Sequence, residues 1–452
     1  MNQLENTYKI IPVKGFPKEK GQNLDLVAIA YWAATGFFLE NDSFWKEVKW
    51  HELDFKKQPW SYEPRDISLD TAVTEFASLF HEILEEQIAE KQVILPLSGG
   101  LDSRTLAVAL KYMDYTPFCY SYEFEGSFKE THYGQEIARV NNWPFQAYTI
   151  PSGYLWDRLE NSASLNHCYA EFTHARQVAV ADKIGSKGDV WLLGHWGDVL
   201  FDDMGVDNEL PEKEQINVLR KKILKKGGLE LGSDLWKHWG IEGDFEQQIN
   251  VRLEQMLANI SIGNANARIR AFKSLYWATR WTSTNLVYFE KSNPLALPYY
   301  DDRMCKFIMT IPEKHLAGRQ IQIEYIKRYG PKLAEIAWQD VAPYNLYNSN
   351  KFLTPHHLPY RIFKKLGRLW KEKIVGQPLV QRNWEIQFLG EENQRQLKKW
   401  LFENEHLNTI VPHSIVKKYE ENFWKSNRVY WSHPMSMLLT LSSFSKMHEL
   451  GK

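Results

Sequence analysis

At 452 residues the chain is long enough for two or three domains and at least one sizeable core, which excludes a small disulfide-stapled scaffold. Lys plus Arg number 55 and Asp plus Glu 56, a formal net charge of −1, so no long-range field draws the whole chain onto nucleic acid and no such partner is expected. Cys119, Cys168 and Cys305 are far apart and odd in number, which argues against a disulfide framework, leaves no C-x-x-C pair and fits a reducing, cytoplasmic setting.

The first apolar stretch, residues 26–39, is 14 residues long, short of the about 20 that a spanning helix needs. The charged leader before it, with Lys14, Pro17, Lys18, Glu19 and Lys20, does not read as a signal peptide. No transmembrane segment is therefore expected. Residues 58–66, with Pro59 and Pro64, resist helix and set a domain boundary near residue 67. Asp70 then reads as the N-cap of a helix whose apolar positions Val73, Phe76, Ala77, Phe80, Ile83, Leu84 and Ile88 recur at helical spacing, ending near Glu90. Strand and helix patterns alternate from there: a strand over 93–97, a helix opening at Asp102 or Ser103, a strand over 118–122, a helix over 131–141, a strand near 146–150, helical stretches to about 184 and a strand over 190–193. This alternation predicts an α/β fold with a doubly wound parallel sheet, right-handed crossovers and ligands at the carboxyl ends of the strands. Beyond Asn208 the pattern is mostly helical. With 18 Trp, 22 Tyr and 23 Phe the aromatic load is heavy, serving core packing first and a substrate cleft second.

Directly after the first strand stands Ser98-Gly99-Gly100-Leu101-Asp102-Ser103-Arg104, then the helical run 105–110. A strand, a Gly-Gly turn and a helix start make an anion site: backbone without Cβ atoms approaches closely, free N–H groups and the helix dipole point outward, and serine hydroxyls add donors. No G-K-[ST] follows and no G-x-G-x-x-G occurs, which sets aside a Walker A loop and a dinucleotide fingerprint.

This loop resembles the pyrophosphate loop of the ATP pyrophosphatase (PP-loop) superfamily, and Arg104 leans it toward the asparagine synthetase-like branch. Gly194-His195-Trp196-Gly197-Asp198-Val199-Leu200-Phe201 matches that branch's Gly-Glu-Gly-x-Asp-Glu-Leu-Phe type segment, and Pro298-Tyr299-Tyr300-Asp301 its Pro-Phe-Leu-Asp type segment. The resemblance implies a degenerate glutaminase-like, α+β or β-rich remnant over 1–66, an adenine nucleotide alpha-hydrolase-like synthetase domain over 67–345, and a helical extension over 346–452. Residue 2 is Asn where the family's glutaminase has its catalytic Cys, so no glutamine hydrolysis is expected.

By the same resemblance Asp102 and Asp198 hold Mg²⁺ on the phosphates of ATP, and Ser98, Gly99, Gly100 and Ser103 cradle the departing pyrophosphate. Ser121, Tyr122 and Gly194 lie where the family's backbone meets adenine and ribose. A helix cap for Asp102, a loop cap for Asp198 and strand-end solvation for the other three are the plainer alternatives. His195 replaces a family Glu that acts on the nitrogen nucleophile, and an imidazole of pKa about 6.5 accepts a proton at neutral pH; a packed histidine beside Trp196 is the competing role. Counting back from Pro331 places Arg319 where the family has a Lys that stabilises adenylation, with Arg280 as a second candidate. The implied activity is an AMP-forming amide ligase joining a small-molecule or peptide carboxylate to an amine or ammonia, with a homo-oligomer or pathway partner conceivable. The alternatives are a catalytically silent nucleotide-binding subunit or another PP-loop nucleotide-activating enzyme. Basic runs at 351–373 and at 220–226 read as solvated helix faces before anionic docking surfaces, and Asp202, Asp203, Asp207 and Glu209 as a polar loop before a metal site.

Overall fold

Five short strands, Val93–Pro96 (β1), Phe118–Phe124 (β2), Phe145–Ile150 (β3), Val190–Leu192 (β4) and Leu295–Ala296 (β5), form one all-parallel sheet in the order β3-β2-β1-β4-β5. They belong to a computed structural model that describes residues 10–11, 15–50, 59–127, 129–172, 176–355 and 387–451, with positions 359, 362 and 366. β1 is the middle strand. Its Ile94 lies opposite Phe118 of β2 and opposite Trp191 of β4. Being paired on both edges and covered on both faces, Val93, Ile94 and Leu95 are all buried, which is why the strand reads as a continuous apolar run. The protein is thus α/β with a five-stranded parallel sheet, an order compatible with a doubly wound fold.

The chain divides into two compact units: a helical unit of residues 1–79, 195–287 and 297–320, and a sheet unit of residues 80–194, 288–296 and 321–452. In the helical unit, the apolar run beginning at Leu26 is wound as α1 (Leu26–Thr35), opened by Asp25, whose carboxylate accepts from Ala28 N–H at 3.0 Å, and closed by left-handed Gly36. Every residue from Ala28 to Thr35 is buried. Gly228 and Gly232 permit this: a Cβ would stand 2.5 Å from Ala34 O at the first and 2.9 Å from Ala30 O at the second. Of the α+β or β-rich remnant expected over 1–66, the described residues hold α1 and a single antiparallel bridge, Leu24 to Trp45.

Helix α2 (Leu69–Ile88) buries all seven of the expected apolar positions, but its cap is Ser68 rather than Asp70. The Ser68 hydroxyl accepts from Thr71 N–H at 3.0 Å, while Asp70 sits in the first turn, where an acid complements the helix dipole. In the sheet unit, α3 (Leu101–Tyr112) and α4 (Thr131–Asn141) connect β1 to β2 and β2 to β3, and α5 (Tyr154–Asn166) follows β3. Helices Glu391–Phe402, His413–Lys425 and Arg428–Met447 close the chain. Among the described residues no helix is long and apolar enough to cross a membrane. Of the basic run at 351–373 only Lys351 is described and it is exposed; the other basic positions lie outside the described residues.

Candidate functional site

The middle position of β1 fixes the first half of the candidate site. β2 and β3 lie on one side of it and β4 on the other, so the order reverses between β1 and β4, the place where parallel α/β sheets open a ligand crevice. The Ser98–Arg104 motif leaves β1 there and runs straight into α3. Gly100 is the helix N-cap and receives no side-chain cap, while Asp102 stands in the first turn, so Asp102 does not serve as the cap. The exposed Ser98 hydroxyl lies 3.0 Å from the Ser103 hydroxyl and accepts from Gly100 N–H at 3.3 Å. Asp102 accepts from the Gln322 amide at 3.1 Å.

The loop is held from behind. Arg104 is fully buried, and its guanidinium donates to the carbonyls of Gly99 (3.3 Å), Leu333 (3.3 Å), Ile336 (2.9 Å) and Ala337 (2.8 Å). Burial lowers its pKa to about 10, which leaves it charged at neutral pH. Gly99 exchanges two hydrogen bonds with Gln339, its N–H donating to Oε1 and its carbonyl accepting from the Gln339 N–H, both at 3.2 Å. A Cβ on Gly99 would stand 2.6 Å from the Gln339 Cβ and 2.8 Å from Tyr133 Cγ, whereas one on Gly100 would meet only Ser98 Oγ at 3.4 Å.

Ser121 is the middle residue of β2 and Tyr122 the next, just past the last pairing with β1 at Tyr120. The Ser121 hydroxyl donates to Leu97 O beneath the loop, and Gly134 of α4 makes room for it: a Cβ there would lie 2.2 Å from Ser121 Oγ. Burial raises the Tyr122 phenol, against the pull of the Arg176 guanidinium that also hydrogen-bonds it. Gly194 ends the β4 segment, and a Cβ on it would stand 3.0 Å from the Asp102 Cβ. Ser98, Gly99, Gly100, Asp102, Ser103, Ser121 and Gly194 are therefore gathered at the carboxyl ends of β1, β2 and β4 within the sheet unit.

His195, Asp198 and Arg319 belong to the helical unit. Trp196 adopts a left-handed conformation (φ 76°) as N-cap of the short helix Gly197–Leu200, its indole donating to Ser274 Oγ at 3.0 Å, and Asp198 is exposed in that turn. Desolvation pushes the half-buried His195 imidazole down to about 4, with Asp198 opposing. His195 is therefore neutral at physiological pH, and protonating it at pH 7 costs about 4 kcal/mol. The value of 6.5 expected from sequence does not hold at this site.

Facing Trp196 is a group that the sequence reading did not single out. Helix Ala265–Phe272 passes without a break into a π-helix, Lys273–Thr282. Lys273 Nζ lies 5.8 Å from the Trp196 ring centroid and 5.3 Å from that of Trp277, and Lys225 Nζ lies 4.9 Å from the latter. Burial lowers the Lys273 ammonium to about 8; Asp198 opposes this, while Lys222, Lys225 and Arg270 reinforce it. The only sequence signal was the four-residue spacing of Lys273, Trp277 and Trp281.

Arg319 follows Gly318, and both are left-handed, at φ 61° and 64°. Gly318 N–H donates to Asp202 Oδ1 at 3.0 Å, and the Arg319 charge acts on that carboxylate. Arg280, the second cation considered, is committed to structure: buried, it donates to Glu40 O and to Asn41 Oδ1 (2.9 Å) and lies 4.8 Å from the Trp50 ring centroid. The acids after the second motif bond to their own loop, Asp203 to Gly205 N–H and Asp207 to Glu209 N–H.

Among the described residues no three His, Cys, Asp or Glu side chains form a metal cluster. Of the two carboxylates expected to hold a metal, Asp102 lies in the sheet unit and Asp198 in the helical unit. Neither protein-family models nor curated protein sequences give a match to this chain.

Proposed function

We propose that the protein is an ATP-dependent, AMP-forming amide ligase of the asparagine synthetase-like, PP-loop type that uses no glutamine. One observation carries this reading: Ser98-Gly99-Gly100-Leu101-Asp102-Ser103-Arg104 spans the turn from the middle strand to the N-terminus of α3, at the point where the strand order reverses. Pyrophosphate leaving the α-phosphate would meet the Gly100 N–H, the Ser98 and Ser103 hydroxyls and the positive end of α3. Mg²⁺, arriving with ATP, would take the Asp102 carboxylate in the first turn of α3 as a ligand and would neutralise phosphate charge. The acid is activated as an acyl-adenylate, which an amine or ammonia then attacks to give the amide and AMP.

ATP–pyrophosphate exchange, dependent on Mg²⁺ and on the correct carboxylate, tests this reading, with AMP as the product of full turnover. Asp102→Asn removes one metal ligand at little cost in volume and is expected to abolish exchange with the fold retained. A nucleotide-binding subunit without turnover is the second reading, and Gln339 favours it, since its amide oxygen occupies the Gly99 N–H. Tight ATP binding with no AMP formed across a broad panel of acids and amines would decide for that reading.

A further inference from the structure

Three successive N–H groups at the start of the Ser98–Arg104 loop each meet a side-chain oxygen. Ser98 N–H donates to Ser103 Oγ at 3.1 Å, Gly99 N–H to Gln339 Oε1 at 3.2 Å and Gly100 N–H to Ser98 Oγ at 3.3 Å. These oxygens differ in what they offer an anion. A hydroxyl turns about its C–O bond and donates its own proton to a phosphate oxygen, so the two serines can join the ligand. An amide oxygen only accepts, and its negative partial charge opposes an anion at the N–H it holds. Gln339 is thus the member of the set that a phosphate must push aside. Its backbone is pinned: the Gln339 N–H donates to Gly99 O at 3.2 Å, the Trp338 N–H to Tyr344 O at 2.8 Å, and the buried Arg104 guanidinium holds the carbonyls of Ile336 and Ala337 at 2.9 and 2.8 Å. The side chain is only half-buried, so rotation about its own bonds swings the amide clear while the turn stays in place.

We infer that Gln339 sets the affinity of this loop for phosphate: its amide oxygen competes with a phosphate oxygen for the Gly99 N–H. Entry of the anion costs that hydrogen bond, and the apparent affinity falls by the fraction of molecules in which the side chain is turned away. The inference rests on the phosphate-binding half of the ligase reading and not on amide formation.

The test is calorimetric titration of the full chain with inorganic pyrophosphate and, separately, with MgATP. Gln339→Met keeps the length of the side chain, removes the competing oxygen and should tighten both ligands about three- to tenfold. Gln339→Glu keeps the shape and the acceptor, adds a charge, and should weaken both by about tenfold or more. A residue that only braces the loop gives the opposite sign, since its loss in Gln339→Met would loosen the loop and weaken binding. Weaker binding in Gln339→Met, or Kd values equal to those of the wild type, would overturn the inference. If Gln339→Met does not fold, Gln339→Glu decides alone, and undiminished binding in it overturns the competition. No binding of either ligand by any of the three proteins would remove the phosphate loop and the competition together. The expected order of affinities with no ATP–pyrophosphate exchange for any acid would keep the competition and remove the ligase.

Discussion

Gly194 leaves no easy room for a side chain beside Asp102: a Cβ on Gly194 would stand 3.0 Å from the Asp102 Cβ and 3.3 Å from its carbonyl carbon. The glycine that ends the β4 segment is thus the neighbour of the carboxylate in the first turn of α3, and two motifs far apart in sequence share one contact. Gly194→Ala must push that turn aside. A destabilisation of about 1–3 kcal/mol is expected, measured by urea unfolding, together with a loss of ATP–pyrophosphate exchange larger than the stability change accounts for. Wild-type exchange in a destabilised Gly194→Ala would show that the position of Asp102 is not limiting.

The two loop glycines separate packing from phosphate binding. Gly99 has no room for a Cβ, which would fall 2.6 Å from Gln339 and 2.8 Å from Tyr133, so Gly99→Ala should lower the melting temperature by several degrees. Gly100 has open space and an ordinary φ of −78°, and Gly100→Ala should fold normally. If pyrophosphate crosses Gly100, this well-folded variant loses exchange by about 10²-fold or more, because the methyl group stands where the phosphate must come. Full activity in Gly100→Ala would move the phosphate elsewhere.

How far the sequence could be read follows from the range of each interaction. Strands β1 to β4 and helices α2 to α4 were legible because parallel strands alternate with amphipathic helices, and the Ser-Gly-Gly turn marks a strand end by itself. β5 was not, since two residues carry no period. The run at 26–39 is apolar on every side and carries no helical period of its own; Gly228 and Gly232, some two hundred residues on, supply the close contact that buries α1. The candidate site divides in the same way. The loop hydroxyls and glycines lie within six residues of one another, whereas Gln339 reaches Gly99 across 240 positions and Lys225 reaches Trp277 from the loop that follows the helix Glu212–Ile223. The lowered His195 value depends on burial, which the residue letters do not contain.

Arg104 does its work through geometry. Four carbonyls converge on one planar guanidinium, and the ammonium of a lysine, with three donors on a flexible stem, cannot meet all of them. Arg104→Met should cost about 3 kcal/mol or more, as buried acceptors lose their donors, and Arg104→Lys should recover little of it. Chemical denaturation of the three proteins checks this; near-complete rescue by lysine would mean that charge, rather than the planar fork, holds the loop.

Arg280 and Arg319 separate by opposite responses. Arg280→Met removes the donors bound to Glu40 O and Asn41 and should destabilise by about 2 kcal/mol or more. Arg319 holds a left-handed backbone that only glycine adopts freely, so Arg319→Gly should be neutral or stabilising by about 1 kcal/mol. If Arg319 stabilises adenylation, that stable variant still loses exchange. Stability and exchange measured on both variants settle which cation faces the phosphates; unimpaired exchange in Arg319→Gly excludes Arg319.

His195 gives a prediction in pH. Its imidazole is held at about 4 in the folded chain against 6.5 as the ordinary value, so between those values the unfolded chain binds more protons. Above pH 6.5 both forms are neutral and His195 leaves stability unchanged; as pH falls toward 4 the folded state loses stability, and below 4 the loss is complete. His195→Gln removes this loss. Relative to wild type the variant should gain at most about 3 kcal/mol between pH 7 and pH 4.5, taken as a difference because His81 is also lowered to about 4 and contributes equally to both proteins. In the same way the amide-forming step should show no limb near pH 6.5 that His195→Glu abolishes, since a carboxylate near 4.3 titrates no lower than this buried imidazole. Parallel stability curves for wild type and His195→Gln would place the imidazole in water, restoring the ordinary pKa and with it a neutral-pH base on the nucleophile.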